Sequence, residues 1–100
     1  MSKGYWIARI DVEDPETYKS YVSAATPAYQ KYGAKFLVRG GRSHAVEGPG
    51  RGRNVVVEFE SFDIALACYN SPEYARLVAI RSPHAESELV IIEGYDGAQP

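Results

Sequence analysis

Residues 5–21 read YWIARIDVEDPETYKSY, and this stretch decides the fold. Its first eight positions alternate and are rich in aromatic and β-branched residues, which predicts a strand from Tyr5 to Val12. Asp14-Pro15-Glu16 follows at once. Asp14 can accept from the free N–H groups of a helix start, Pro15 suits the first helical turn, and Glu16 suits its positive end. Tyr18, Tyr21, Val22, Ala25, Tyr29 and Tyr32 then recur at spacings of three and four along one broad face. Pro27 removes a backbone donor, which predicts a kink near Thr26, a short last piece from Pro27, and Gly33 as the terminating residue.

The same order, a strand and then an acid-led helix, returns at residues 54–63, NVVVEFESFD. Asn54 to Glu60 reads as a strand, Ser61 as a cap, and Phe62 to Tyr69 as a helix that Asn70 stops. Ser71-Pro72-Glu73 opens a further helix through Tyr74, Leu77 and Ile80. Between the two units, Lys35 to Arg39 reads as a strand and Gly40-Gly41 as a bulge or bend. Arg42 to Glu47 reads as an arm extending that strand toward the turn at Gly48–Gly52. Leu89 to Tyr95 is the last strand, and Asp96 to Pro100 a frayed tail. The order βαββαβ predicts an α+β, ferredoxin-like domain over residues 1–95, with a C-terminal tail at 96–100. Its antiparallel sheet has the order 4-1-3-2, with helices on one face.

Composition narrows the function. One hundred residues make one core, and 45% hydrophobic with 24% charged residues excludes disorder. A net charge of −2 argues against nucleic acid and against an anionic membrane surface as partners. No apolar run approaches the roughly 20 residues of a membrane helix, and no apolar segment precedes the first strand, so a cytoplasmic location is expected. Cys68 is the only cysteine and lies in an apolar helical run, as a buried thiol would. Eight tyrosines exceed what a core this small can hide, so their hydroxyls need wet edges, partners or an interface.

The strands sort their side chains onto two faces. Trp6, Ala8, Ile10, Val12, Phe36, Val38, Val55, Val57, Phe59, Val90 and Ile92 are expected to face the helices. The opposite face would carry Tyr5, Ile7, Arg9, Asp11, Lys35, Leu37, Arg39, Val56, Glu58, Glu60, Leu89, Ile91, Glu93 and Tyr95. Half apolar and uncovered, it predicts a second copy of the chain closing a dimeric barrel. Arg9, Arg39, Glu58 and Glu93 would form one paired network inside it. That network either fixes the dimer register or holds a ligand, with Arg9 or Arg39 anchoring an anion and Glu58 or His44 moving a proton. Trp6 would floor a pocket, and Tyr18, Tyr69 and Asn54 are further ligand-binding candidates. The helical tyrosines Tyr18, Tyr21, Tyr29, Tyr32, Tyr69 and Tyr74 read first as a rim around the core with hydroxyls turned outward; the alternative is a pocket between helix and sheet whose phenols orient a small aromatic or carbonyl ligand.

Other chemistry is excluded by spacing. His44 and His84 have no metal-ligand spacing, so no metal and no cofactor are expected. No GxSxG elbow appears. The stretch Gly48-Pro49-Gly50-Arg51-Gly52-Arg53 lacks a GK[ST] ending and enters a strand, so it cannot cradle phosphate as a helix-leading loop does. Its arginines could still touch an acidic partner or RNA.

Several runs resemble domain-of-unknown-function family 1330. They are KGYWIAR at 3–9, DPETYKSY at 14–21, FLVRGG at 36–41, RNVVVEF at 53–59, ACYNSPEY at 67–74 and LVIIEGY at 89–95. The resemblance implies a ferredoxin-like fold in the dimeric α/β-barrel superfamily, which also contains cofactor-free monooxygenases, haem-degrading oxygenases and isomerases. It brings no catalytic set to carry over, and no histidine here matches a haem ligand. Two functions are therefore expected. One is a homodimer that binds a small anionic or aromatic metabolite; the other is a cofactor-independent monooxygenase or isomerase.

Overall fold

A computed structural model describes residues 2–81 and 85–100. The elements are β1 (Gly4–Val12), α1 (Pro15–Lys31), β2 (Lys35–Arg39), β3 (Arg53–Phe59), α2 (Phe62–Tyr69), α3 (Pro72–Arg81) and β4 (Ala85–Glu93). All strand pairs are antiparallel and the sheet order is β2-β3-β1-β4, which is the expected order read from the other edge. His84 lies outside the described residues.

The caps behave as the sequence requires. The Asp14 carboxylate accepts from Thr17 N at 3.3 Å and from Thr17 Oγ1 at 2.8 Å. Ser61 Oγ accepts from Ile64 N at 3.1 Å, and Gly33 at φ +69° ends α1. Pro27 does not split the helix. It sits on the exposed side, where water can satisfy the carbonyl it leaves unpaired, while Ala25 and Ala28 keep the inner side packed.

Three expectations about the strands are corrected. Residues 42–47 form no strand, because Arg51 draws the loop across the sheet instead: its guanidinium lies 2.8 Å from Asp11, 3.3 Å from Glu86 and 3.1 Å from Glu88. β4 starts at Ala85, four residues before Leu89, and Ile91 opposes Trp6 while Leu89 opposes Ala8. Leu89 and Ile91 therefore face the helices, with Glu93 in phase with them at the strand's end. Val90 and Ile92 face outward. In β2 the register slips between Phe36 and Val38, so that Phe36 opposes Val57, Val38 opposes Val56 and Arg39 opposes Val55. This bulge puts Val38 on the uncovered face and carries Arg39 to the helix side.

The core lies between the sheet and its helices. Trp6, Ala8, Ile10, Val55, Val57 and Phe59 meet Tyr18, Tyr21 and Ala25 of α1, Ala65 and Cys68 of α2, and Tyr74 and Leu77 of α3. Among the described residues nothing covers the other face. Val38, Val56, Ile7 and Val90 stand opposite one another in a row across all four strands, and the exposure of Ile7, Leu37, Val38, Val90 and Ile92 runs from 38% to 51%. A radius of gyration of 14.0 Å exceeds the roughly 13 Å usual for this length, as expected of a sheet layered on one side only.

Candidate functional site

Two recesses use the residues singled out from the sequence, one on each face of the sheet. The first is a cleft between α1 and the sheet. Trp6, Ala8, Ile10, Val55 and Val57 form its floor, Tyr18, Tyr21, Val22 and Tyr29 its helical wall, and Tyr74 and Leu89 its inner end. Arg39 and Arg53 also line it. Its accessible space is about 30 Å³, room for about two water molecules.

Each wall is fixed by its own contacts. Trp6 Nε1 donates to Ala65 O at 2.8 Å, and its ring meets Tyr74 edge-on at 5.0 Å and Phe59 at 5.2 Å. Tyr74 is anchored by Ser71, whose Oγ accepts from Tyr74 N at 3.2 Å and donates to Cys68 O at 2.7 Å. The phenols of the cleft turn inward. The hydroxyls of Tyr21 and Tyr74 hydrogen-bond each other, and that of Tyr29 lies 3.5 Å from Tyr21. The expected outward rim is thus overturned for these three, because their oxygens find partners in one another. Burial pushes the Tyr29 phenol far above its usual range, so it keeps its proton.

The two arginines are held differently. Arg39 stacks on the Phe36 ring at 4.0 Å, and Arg53 sits 5.6 Å from the Tyr18 ring. Among the described residues neither has a carboxylate partner, and the buried Arg53 Nε has no hydrogen-bond partner. Gly40 makes room for Arg53: at φ +68°, a Cβ there would stand 2.3 Å from the Arg53 guanidinium. The Arg-Gly-Gly run at 39–41 therefore serves two arginines, one of which sequence reasoning passed over as part of a loop.

The second recess lies on the uncovered face and is lined by Arg9, Ser43, His44, Ala45, Gly50, Arg51 and Asn54. Arg9, His44 and Asn54 thus come together, and Asn54 Nδ2 donates to Arg51 O at 3.4 Å. Its cations are already paired: Arg51 with Asp11, Glu86 and Glu88, and Arg9 with Glu88 at 3.9 Å. The expected network of Arg9, Arg39, Glu58 and Glu93 does not form, since the bulge and the phase of β4 put its members on opposite faces. Glu58 accepts from Tyr5 Oη at 3.1 Å, away from both recesses. Tyr69 packs edge-on against Trp6 at 5.9 Å and does not line the cleft. Cys68 is fully buried, and burial pushes its thiol up to about 12.

No group of three or more metal-ligating side chains occurs among the described residues. No described helix is long and apolar enough to cross a membrane.

Solved structures share the fold. A protein of unknown function from Rhodopseudomonas palustris matches with a TM-score of 0.73 at 18% identity, over 99% of this chain and 85% of that one. A dimeric ferredoxin-like protein of unknown function from Thermobifida fusca matches at 0.61 and 18%, over 91% and 90%. SnoaB, a cofactor-independent oxygenase from Streptomyces nogalater, matches at 0.63 and 11%, over 100% and 97%. No curated protein shows significant sequence similarity to the chain. The family model described as domain of unknown function DUF1330 matches residues 3–95, and the chain belongs to that family.

Proposed function

We propose that this protein binds a small aromatic acid in the cleft between α1 and the sheet, and does so as a homodimer closed through the uncovered sheet face. One observation carries the ligand reading: two arginines without carboxylate partners border an aromatic-lined cleft, and one has a buried, unsatisfied Nε. A buried donor left unmade is costly, so the site gains from an anion that accepts from it. The aromatic walls supply apolar contact for a ring.

The dimer reading rests on the row Val38, Val56, Ile7 and Val90, which no described part of the chain covers, and on the dimeric protein that shares the fold. Sedimentation at micromolar concentration tests it. A dimer is expected, and a monomer overturns the reading.

An oxygenase or isomerase working without cofactor is the second reading, supported by the fold shared with the Streptomyces oxygenase. Its substrate would use the same cleft. Glu58 and His44 do not line that cleft, so neither is assigned the proton transfer.

Calorimetric titration with cinnamate tests the ligand reading. Saturable binding to the wild type, weakened in Arg53→Gln and Arg39→Gln, is expected. No heat of binding at millimolar cinnamate overturns it.

A further inference from the structure

Open space lies beside the cleft more than inside it. The cleft leaves about 30 Å³ free, whereas an adjoining recess along α1 has about 360 Å³. Tyr18, Lys19, Val22, Ser23 and Arg53 line this recess, and Tyr18, Val22 and Arg53 also line the cleft. A molecule seated at the cleft therefore continues into the recess, and what the recess offers it is positive charge. Resting on the ligand reading above, we propose that the ligand is an aromatic dicarboxylic acid. One carboxylate lies at the cleft on Arg39 and Arg53, and the second lies in the recess between Arg53 and Lys19.

Helix geometry builds the recess. Residues four apart stand above one another, so Tyr18 and Val22 make one row of α1 and Lys19 and Ser23 the next. The first row packs on the core, and the second carries an ammonium and a hydroxyl. Arg53 is the wall shared with the cleft, its guanidinium 5.6 Å from the Tyr18 ring. Five N–H groups in one plane can serve more than the single carboxylate of a bidentate pair. No carboxylate is among the residues lining cleft or recess. Lys19 pairs only with Glu16, at 3.6 Å, and the two side chains are 76% and 86% exposed. Such a pair contributes little and yields readily to a ligand carboxylate that Arg53 also holds. A neutral extension would gain nothing from either cation, whereas an anionic one gains from both.

Calorimetric titrations at neutral pH with 3-phenylpropanoate and phenylsuccinate, which differ by one carboxylate, test this. Phenylsuccinate is expected to bind about tenfold or more tightly, as one added charge-assisted contact supplies. The preference should shrink at high salt, because the recess is open to solvent. Lys19→Gln should bring the ratio of the two affinities toward one. Glu16→Gln, which releases Lys19 from its helical neighbour, should raise that ratio. Both residues are exposed, and thermal melts confirm that each variant is folded. Equal affinities, or a ratio that Lys19→Gln leaves unchanged, overturn the inference and leave the aromatic-acid reading standing. Binding of neither acid overturns both.

Discussion

Arg51 and Arg53 are two residues apart in one loop-to-strand junction, yet they enter opposite faces of the sheet and meet opposite surroundings. Arg51 bonds Glu88, Glu86 and Asp11, and these carboxylates raise its guanidinium above the ordinary range. Arg53 has the Tyr18 ring, the backbone beside Gly40 and a buried Nε with no partner among the described residues. An arginine surrounded by carboxylates ties parts of a fold together. One desolvated without them is unfinished until an anion arrives. Strand alternation would put positions two apart on one face; they separate because Arg51 lies in the loop before β3 whereas Arg53 is the first residue of that strand.

The largest expected effect tests the frame of the cleft. Phe59→Ala removes a fully buried ring beneath Trp6 and should cost about 3–5 kcal/mol, measured by urea unfolding. Gly40→Ala comes next. It places a Cβ in the left-handed region, at a cost of about 1–2 kcal/mol, and also against the Arg53 guanidinium. It should therefore weaken cinnamate binding as well as stability, whereas a pure turn residue would lower stability alone.

Arg51→Gln sharpens the contrast. It removes the tie between the β2–β3 loop and strands β1 and β4, so the melting temperature should fall, and fall less at high salt because the lost pairs are partly exposed. Arg53→Gln removes no ion pair and should leave the melting temperature nearly unchanged. The smallest effect concerns Cys68. With its thiol raised to about 12 by burial it stays protonated at pH 8, and should react with a disulfide reagent only after unfolding.

The fold was legible because each boundary has local chemistry behind it: Asp14-Pro15, Ser61, Ser71-Pro72 and Gly33 all sit where the chain turns. Facing was harder. Leu89 to Ile92 is apolar at four consecutive positions, so period two cannot tell its faces apart. The phase is set upstream, where Glu86, Ser87 and Glu88 pair with Asp11, Ile10 and Arg9. In β2, one extra residue before Val38 sent Arg39 to the helix side, and no spacing in KFLVR announces a bulge. These two slips explain why the expected charge network dissolved. They also explain why Arg39 joined Trp6 and Tyr18, while Arg9, His44 and Asn54 gathered on the other face. Arg53 was hidden by its neighbours, since a glycine-rich run makes an arginine look like loop. The adjacent signal was Gly40, whose missing Cβ makes room for it.

The most direct test sets the two arginines against each other in one experiment, cinnamate titration of Arg53→Gln and Arg51→Gln alongside the wild type. Removing a charge-assisted contact to a bound carboxylate should weaken binding about tenfold or more in Arg53→Gln, with wild-type affinity kept in Arg51→Gln. Equal affinity in all three proteins, or a loss confined to Arg51→Gln, would contradict the assignment of the cleft as the ligand site.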